Sequence, residues 1–199
     1  RAGSVSDTLE PRALDLQHLL DRAALERLVL AYCHAIDRRD LALVRSLYHD
    51  DAVDDHGAMF CGSPDEYVAW LPGMLANWQA TSHTVTNMLF LIEGDRANGE
   101  HPTVAWHRTA DGTQDLIAHG RYLDEYERRD GVWKFWRRSL VLDWMEERAN
   151  APAPGGGVDA LQGVGRAEGL HVVVRGMILQ RDRFGSRKNF QHKRQFARS

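Results

Sequence analysis

Apolar side chains recur at Leu25, Leu28, Val29, Tyr32, Cys33 and Ile36. This is the three-and-four spacing of a helix with one buried face, and it predicts a helix over residues 15–37. Asp21 is a candidate cap within that region. Leu41, Val44, Leu47 and Tyr48 repeat the pattern over 40–48, so the two segments read as an αα-hairpin. Residues 49–57 are acidic and then turn. Ser63-Pro64-Asp65-Glu66 supplies a cap, a proline at the first helical position and a glutamate at the third, which predicts a third helix running to about residue 78. Pro72-Gly73 should kink or interrupt it. From His83 the period changes to that of strands, with segments at 83–92, 97–108, 115–127 and 132–146. Turns fall at Glu93-Gly94-Asp95-Arg96, at Asp111-Gly112 and at Arg128-Arg129-Asp130-Gly131, whose Asp-Gly pair is a strong hairpin signal. Pro102 marks a bulge or an edge position. Three helices followed by a four-stranded antiparallel meander imply an α+β domain whose helices cover one concave face.

That pattern ends near residue 148. Residues 1–148 read as one α+β domain, 149–157 as an Ala/Pro/Gly linker and 158–199 as a basic C-terminal extension, in which 170–179 could add one strand. The extension carries nine basic and three acidic side chains, a net +6, so that residues 1–157 carry −9 of the overall −3. Such asymmetry fits a basic arm lying on an acidic body, its own or a neighbouring subunit's, better than a nucleic-acid tail. With 43% hydrophobic and 27% charged residues the composition is that of a soluble globular protein. No membrane span or secretory signal is evident. Cys33 on an apolar helix side and Cys61 in a loop give no disulfide framework, which points to the cytoplasm.

The chemistry centres on Tyr32-Cys33-His34-Ala35-Ile36-Asp37. Asp37 flanks the apolar stripe, where a carboxylate is costly without a partner, and His83 at the start of the strands is the candidate partner. Histidine is the side chain whose ordinary pKa suits a general base near neutrality, and a carboxylate on its other ring nitrogen would fix the tautomer and stabilise the imidazolium. The bland alternatives are a histidine satisfied by backbone and a helix-end carboxylate facing solvent. Strand alternation puts Asn87 on the face of His83, where its amide could hold a substrate oxygen. On the last strand the same count pairs Arg138 with Trp144, Arg138 being a candidate anion or carbonyl clamp. His56, after Asp54 and Asp55, is a second candidate acid or base. His107 and His119 could face a pocket or solvent. Tyr67, Trp70, Trp78, Met59, Met74 and Met88 read as core or as the wall of a pocket for a hydrophobic ring compound. No metal is expected, because no spaced histidine pair accompanies His56. No cofactor is expected either, in the absence of a dinucleotide fingerprint or phosphate loop, and no nucleophile elbow signals serine hydrolysis.

Over residues 15–147 the chain resembles the SnoaL-like branch of the nuclear transport factor 2-like superfamily. The resemblance rests on residues 32–37, Tyr48-His49-Asp50-Asp51-Ala52-Val53, Gly62-Ser63-Pro64-Asp65-Glu66, Ser82-His83-Thr84-Val85-Thr86-Asn87, Gly94-Asp95-Arg96-Ala97, Gly120-Arg121-Tyr122 and Tyr126 through Trp133. It implies a cone-shaped fold with N-terminal helices packed on a curved antiparallel sheet. It also implies a His83–Asp37 dyad with Tyr32 beside it, as in the dehydratase and dehydrochlorinase members. Asn87, Arg138, His56, Trp144 and His107 are then candidate substrate contacts. The function so implied is a cofactor-independent lyase, acting on an aromatic or polycyclic compound with loss of water or a similar group, or by retro-aldol C–C cleavage. A ketosteroid-type isomerase and a non-catalytic binding or assembly subunit are the alternatives, because the fold hosts all three. Aromatic compound catabolism and a homodimer or homotrimer fit the same picture, with no nucleic acid or membrane partner.

Overall fold

In the computed structural model, which describes residues 16–150, the first helix is α1 (Leu16–Arg38). Its buried side is the stripe read from the sequence, with Ala31 and Ala35 added. Asp21 does not cap it. The side chain lies in the second turn, 3% exposed, and accepts from Arg128 Nη1 at 2.7 Å and Trp133 Nε1 at 2.8 Å. It is a buried acceptor that ties the helix to the far hairpin. Arg39 takes a left-handed φ of 57° and ends α1. Asp40 then caps α2 (Leu41–Ser46) by accepting from the Leu43 amide at 3.0 Å.

The acidic stretch expected to turn is instead a strand, β1 (Tyr48–Asp55), in which Tyr48, Ala52 and Asp54 are buried while Asp50 and Asp51 face out. Arg45 and Arg129 neutralise those outer carboxylates. A short β2 (Cys61–Gly62) follows, and then α3 (Pro64–Leu75), which opens on the expected capping box of Ser63 and Glu66. It continues three residues past Pro72 and ends before Trp78, which already belongs to β3 (Trp78–Val85).

The expected single strand over 83–92 is two. Asn87 adopts a left-handed φ of 49° between β3 and β4 (Leu89–Glu93). Both pair with β5 (Arg96–Thr109). Pro102 stands where the second neighbour of β5 changes from β3 to β4, and its carbonyl accepts from the Thr86 amide at 3.1 Å. A proline is tolerated there because no ladder N–H is needed from it. β6 (Gln114–Arg129) and β7 (Val132–Ala149) complete the sheet, joined by Asp130 and Gly131, both at positive φ as a two-residue hairpin turn requires.

The sheet order is β2-β1-β7-β6-β5-β3, with β4 beside β5. It is therefore mixed rather than a pure antiparallel meander, because β1 joins β7 in parallel. β7 carries two register shifts against β6, which leave Trp136 and Asp143 as extra residues. Each bulge reverses which face the following side chains take. Trp133, Phe135, Arg138, Leu140 and Met145 all point inward as a result, across intervals that are not all even. Gly120 sits opposite the second bulge, where a Cβ would run into the Val141 carbonyl oxygen.

The core lies between α1, α3 and the concave face of the sheet. No helix of the described residues is long and apolar enough to cross a membrane. Residues 1–15 and 151–199, and with them the expected strand at 170–179, the basic extension and most of the linker, lie outside the described residues.

Candidate active site

Asp37 stands on the last turn of α1, and β3 runs past it. Thr81 and His83, two residues apart on one strand, share the face that meets the carboxylate. Thr81 Oγ1 donates to Asp37 Oδ1 at 2.9 Å and the His83 amide to Oδ2 at 2.9 Å. His83 Nδ1 lies 2.7 Å from Oδ1. The carboxylate can only accept, so Nδ1 carries the proton and the lone pair of the neutral ring is on Nε2. Three donors compensate the partial burial of the charge and fix the ring.

His83 lines an apolar cavity of about 220 Å³. Beside it His107 meets its ring edge-on at 5.4 Å and leans on Trp78 at 4.9 Å. Burial, with the neighbouring His83 imidazole a smaller cause, lowers the His107 pKa to about 4, so that ring is neutral at pH 7. Its Nδ1 is buried without a hydrogen-bond partner among the described residues.

On another part of the wall the Tyr32 and Tyr67 hydroxyls lie 2.6 Å apart. Burial pushes both phenols well above their ordinary pKa. The pair therefore holds two protons and shares one between its oxygens, leaving the other available as a donor. His56 stacks on Tyr67 with ring centres 5.4 Å apart. Its Nδ1 is 2.6 Å from Asp54 Oδ1, and Tyr48 donates its hydroxyl proton to Asp54 Oδ2 at 2.6 Å. Met59, Trp70, Met74, Leu116, Leu140 and Met145 supply much of the remaining apolar wall.

Tyr32, His56, His83 and His107 thus meet at one cavity, while three other expected contacts do not reach it. Asn87 is exposed in the break between β3 and β4, because the strand that would have carried it alongside His83 ends at Val85. Trp144 is half-exposed and stacks on His119 at 3.9 Å, turned out by the bulge at Asp143. Arg138 lies behind the wall, fully buried. Its Nε and Nη2 donate to the two Asp124 oxygens at 2.9 and 2.7 Å, and the rings of Tyr32, Tyr122 and Phe135 lie 4.0 to 4.2 Å from its guanidinium carbon. Burial works against its charge, but Asp124 outweighs it and holds the pKa well above the ordinary value. Sequence reasoning missed Thr81, Tyr48 and the hydroxyl role of Tyr67. Period-two spacing from His83 and from Asp54 was the signal available for Thr81 and for the Asp54–His56 pair. Among the described residues no three His, Cys, Asp or Glu side chains converge to hold a metal ion.

Residues 17–139 match the model of the SnoaL-like domain family. The gamma-hexachlorocyclohexane dehydrochlorinase of Sphingobium indicum is 30% identical over 134 residues, which are 66% of this chain and 86% of that protein. The crystal structure of a type 2 hexachlorocyclohexane dehydrochlorinase superposes with a TM-score of 0.65 at 27% identity, over 72% of this chain and all of that one. A scytalone dehydratase candidate from Novosphingobium aromaticivorans gives 0.61 at 26% identity, over 70% and 97% of the two chains.

Proposed function

The chain belongs to the SnoaL-like family of the nuclear transport factor 2-like superfamily, and from that premise we propose that it is a cofactor-independent lyase acting on a hydrophobic aromatic or polycyclic small molecule. The observation that carries this reading is the 2.7 Å bond from His83 Nδ1 to Asp37 on the wall of an apolar cavity. His83 Nε2 takes a proton from carbon, the C–H electron pair becomes the new double bond, and the group on the neighbouring carbon departs. Asp37 holds the ring in the tautomer that can accept and stabilises the imidazolium that forms. A positioned base of this kind contributes about 10²–10⁴ in rate. The Tyr32–Tyr67 hydroxyl pair, kept protonated by burial, offers one hydrogen bond to a substrate oxygen.

The eliminations named in the relatives' descriptions favour loss of a group over proton relocation. Assembly as a homodimer or homotrimer belongs to the same proposal, because Val104, Leu123 and Trp144 leave the outer side of the sheet partly apolar. The test is mass spectrometry of hydrophobic ring ketones carrying a β-leaving group, incubated with the protein and with His83→Ala and Asp37→Asn. Product lighter by the leaving group and its proton is expected, with kcat/KM down about 10²-fold or more in both variants. A product of unchanged mass would make the protein an isomerase. Full activity in His83→Ala would remove the dyad.

A further inference from the structure

The cavity holds a second carboxylate–imidazole pair that the reaction above does not use. Resting on the lyase reading, we propose that His56, backed by Asp54, protonates the departing group, so that the bond broken is carbon–oxygen and the product beside the alkene is water or an alcohol.

Asp54 is wholly buried near the end of β1, where it pairs with Arg138 across the parallel register. Its two oxygens are taken by His56 Nδ1 and by the Tyr48 hydroxyl, both at 2.6 Å. The stack on Tyr67 fixes the plane of the His56 ring, and the backbone fixes its stem through the bond from the His56 amide to the Phe60 carbonyl at 2.7 Å. With Nδ1 committed to Asp54, the one ring nitrogen left for the cavity that His56 lines is Nε2. A histidine present only for packing would need no buried carboxylate behind it, and such a carboxylate is costly to keep. Position separates the two pairs. His83 comes from β3 at one end of the sheet and His56 from the loop after β1 near the other, so a substrate between them is reached by one imidazole from each side.

The remaining lining identifies the leaving group. Among the described lining residues there is no Lys or Arg, and the nearby buried cation, Arg138, lies behind the tyrosine rings with Nε and Nη2 bonded to Asp124 and Nη1 buried without a hydrogen-bond partner among the described residues. A halide leaves as a stable anion, is best served by a fixed positive charge and needs no proton. An alkoxide or hydroxide is a strong base and needs a proton as its bond to carbon breaks. The cavity offers proton donors in place of a fixed positive charge.

The step balances. His83 Nε2 removes the carbon-bound proton, the C–H pair forms the alkene, the C–O pair stays with oxygen, and oxygen takes a proton from His56 Nε2. The substrate H–C–C–OR becomes C=C plus HOR. One imidazole gains a proton and the other loses one, and exchange with water resets both. The ionisable groups facing His56 are Asp54 and Tyr48 from β1 and Tyr67 from α3, with Tyr32 of α1 and Arg138 of β7 behind them.

The test compares decalones that carry either hydroxyl or chloride β to the ketone, followed as kcat/KM against pH for wild type, His56→Gln, Asp54→Asn and His83→Ala. In wild type, elimination of water should be bell-shaped in pH and elimination of chloride should lack the falling alkaline limb. His56→Gln should slow loss of water about 10²–10⁴-fold and remove the alkaline limb, while changing loss of chloride no more than a few-fold. Asp54→Asn should follow it in direction, and His83→Ala should stop both reactions. Equal slowing of both substrates by His56→Gln, or no slowing of either, overturns the assignment and leaves the lyase reading standing. Turnover of neither decalone by wild type removes the lyase reading, and this assignment with it.

Discussion

Removing one partner of the Arg138–Asp124 pair should destabilise the protein more than removing both. Each side chain is completely buried, and the two are joined by two bonds of 2.9 and 2.7 Å. Arg138→Met leaves Asp124 with only the Tyr126 hydroxyl at 2.8 Å and His101 at 3.5 Å. Burial lowers His101 to a pKa of about 4, so it brings no charge at pH 7. Breaking such a pair from one side costs about 3–5 kcal/mol, and Arg138→Met belongs at the upper end. Asp124→Asn keeps the shape and leaves the guanidinium against three aromatic rings, each a partial compensation for the charge. The lower end, about 3 kcal/mol, is expected for it. In a domain of this size that corresponds to roughly 6–12 °C in melting temperature. The Arg138→Met/Asp124→Asn double variant leaves no buried charge in this pair and should lose less than either single change. Urea unfolding of the four proteins closes the cycle. Single variants within about 1 kcal/mol of wild type, or a double variant equal to the sum of the singles, would refute the account. A raised KM with unchanged stability in Arg138→Met would instead return Arg138 to the role of substrate clamp.

Acid sensitivity follows from His101 and His107, which burial holds at a pKa of about 4. Both stay neutral in the folded protein, whereas the unfolded chain takes up their protons below about pH 6.5. Their stability is present above that value and is lost as the pH falls toward 4. A plot of unfolding free energy against pH should decline through this window, and His107→Gln should flatten it; an unchanged slope in that variant would count against the burial argument. Gly120→Ala should destabilise by about 1–3 kcal/mol because its Cβ meets the Val141 carbonyl, and a thermal melt equal to wild type would show that the bulge can yield.

Local signals carry a good part of the fold into the sequence. The α1 stripe, the Ser63 capping box and the Asp130-Gly131 turn each depend on residues within a few positions of one another, and each forms where it is expected. β1 is hidden because four aspartates among its eight residues read as a loop; the arginines that face Asp50 and Asp51, with the bonds from Tyr48 and His56 to Asp54, make a strand tolerable. The outward turn of Trp144 and the retreat of Arg138 behind the wall are equally hidden. Counting by twos along β7 fails at two bulges, and nothing local in the sequence marks an extra residue at Trp136 or Asp143. Asp37 and His83 are legible as candidates from the cost of a carboxylate beside an apolar stripe. Their meeting depends on β3 passing the end of α1, which only the resemblance could anticipate.

The parallel pairing of β1 with β7 also sets an order of assembly. Asp54 faces Arg138 eighty-four positions further on, whereas β5, β6 and β7 meet through tight turns. The hairpins can form as soon as they leave the ribosome, but β1, paired locally only with the short β2, lacks its β7 partner until nearly the whole described chain has been made. Closing so long a loop is slow. The edge of the cavity that carries Asp54 and His56 is therefore the last to be built, and a chain stalled before β7 would hold its first helices and hairpins without a closed pocket.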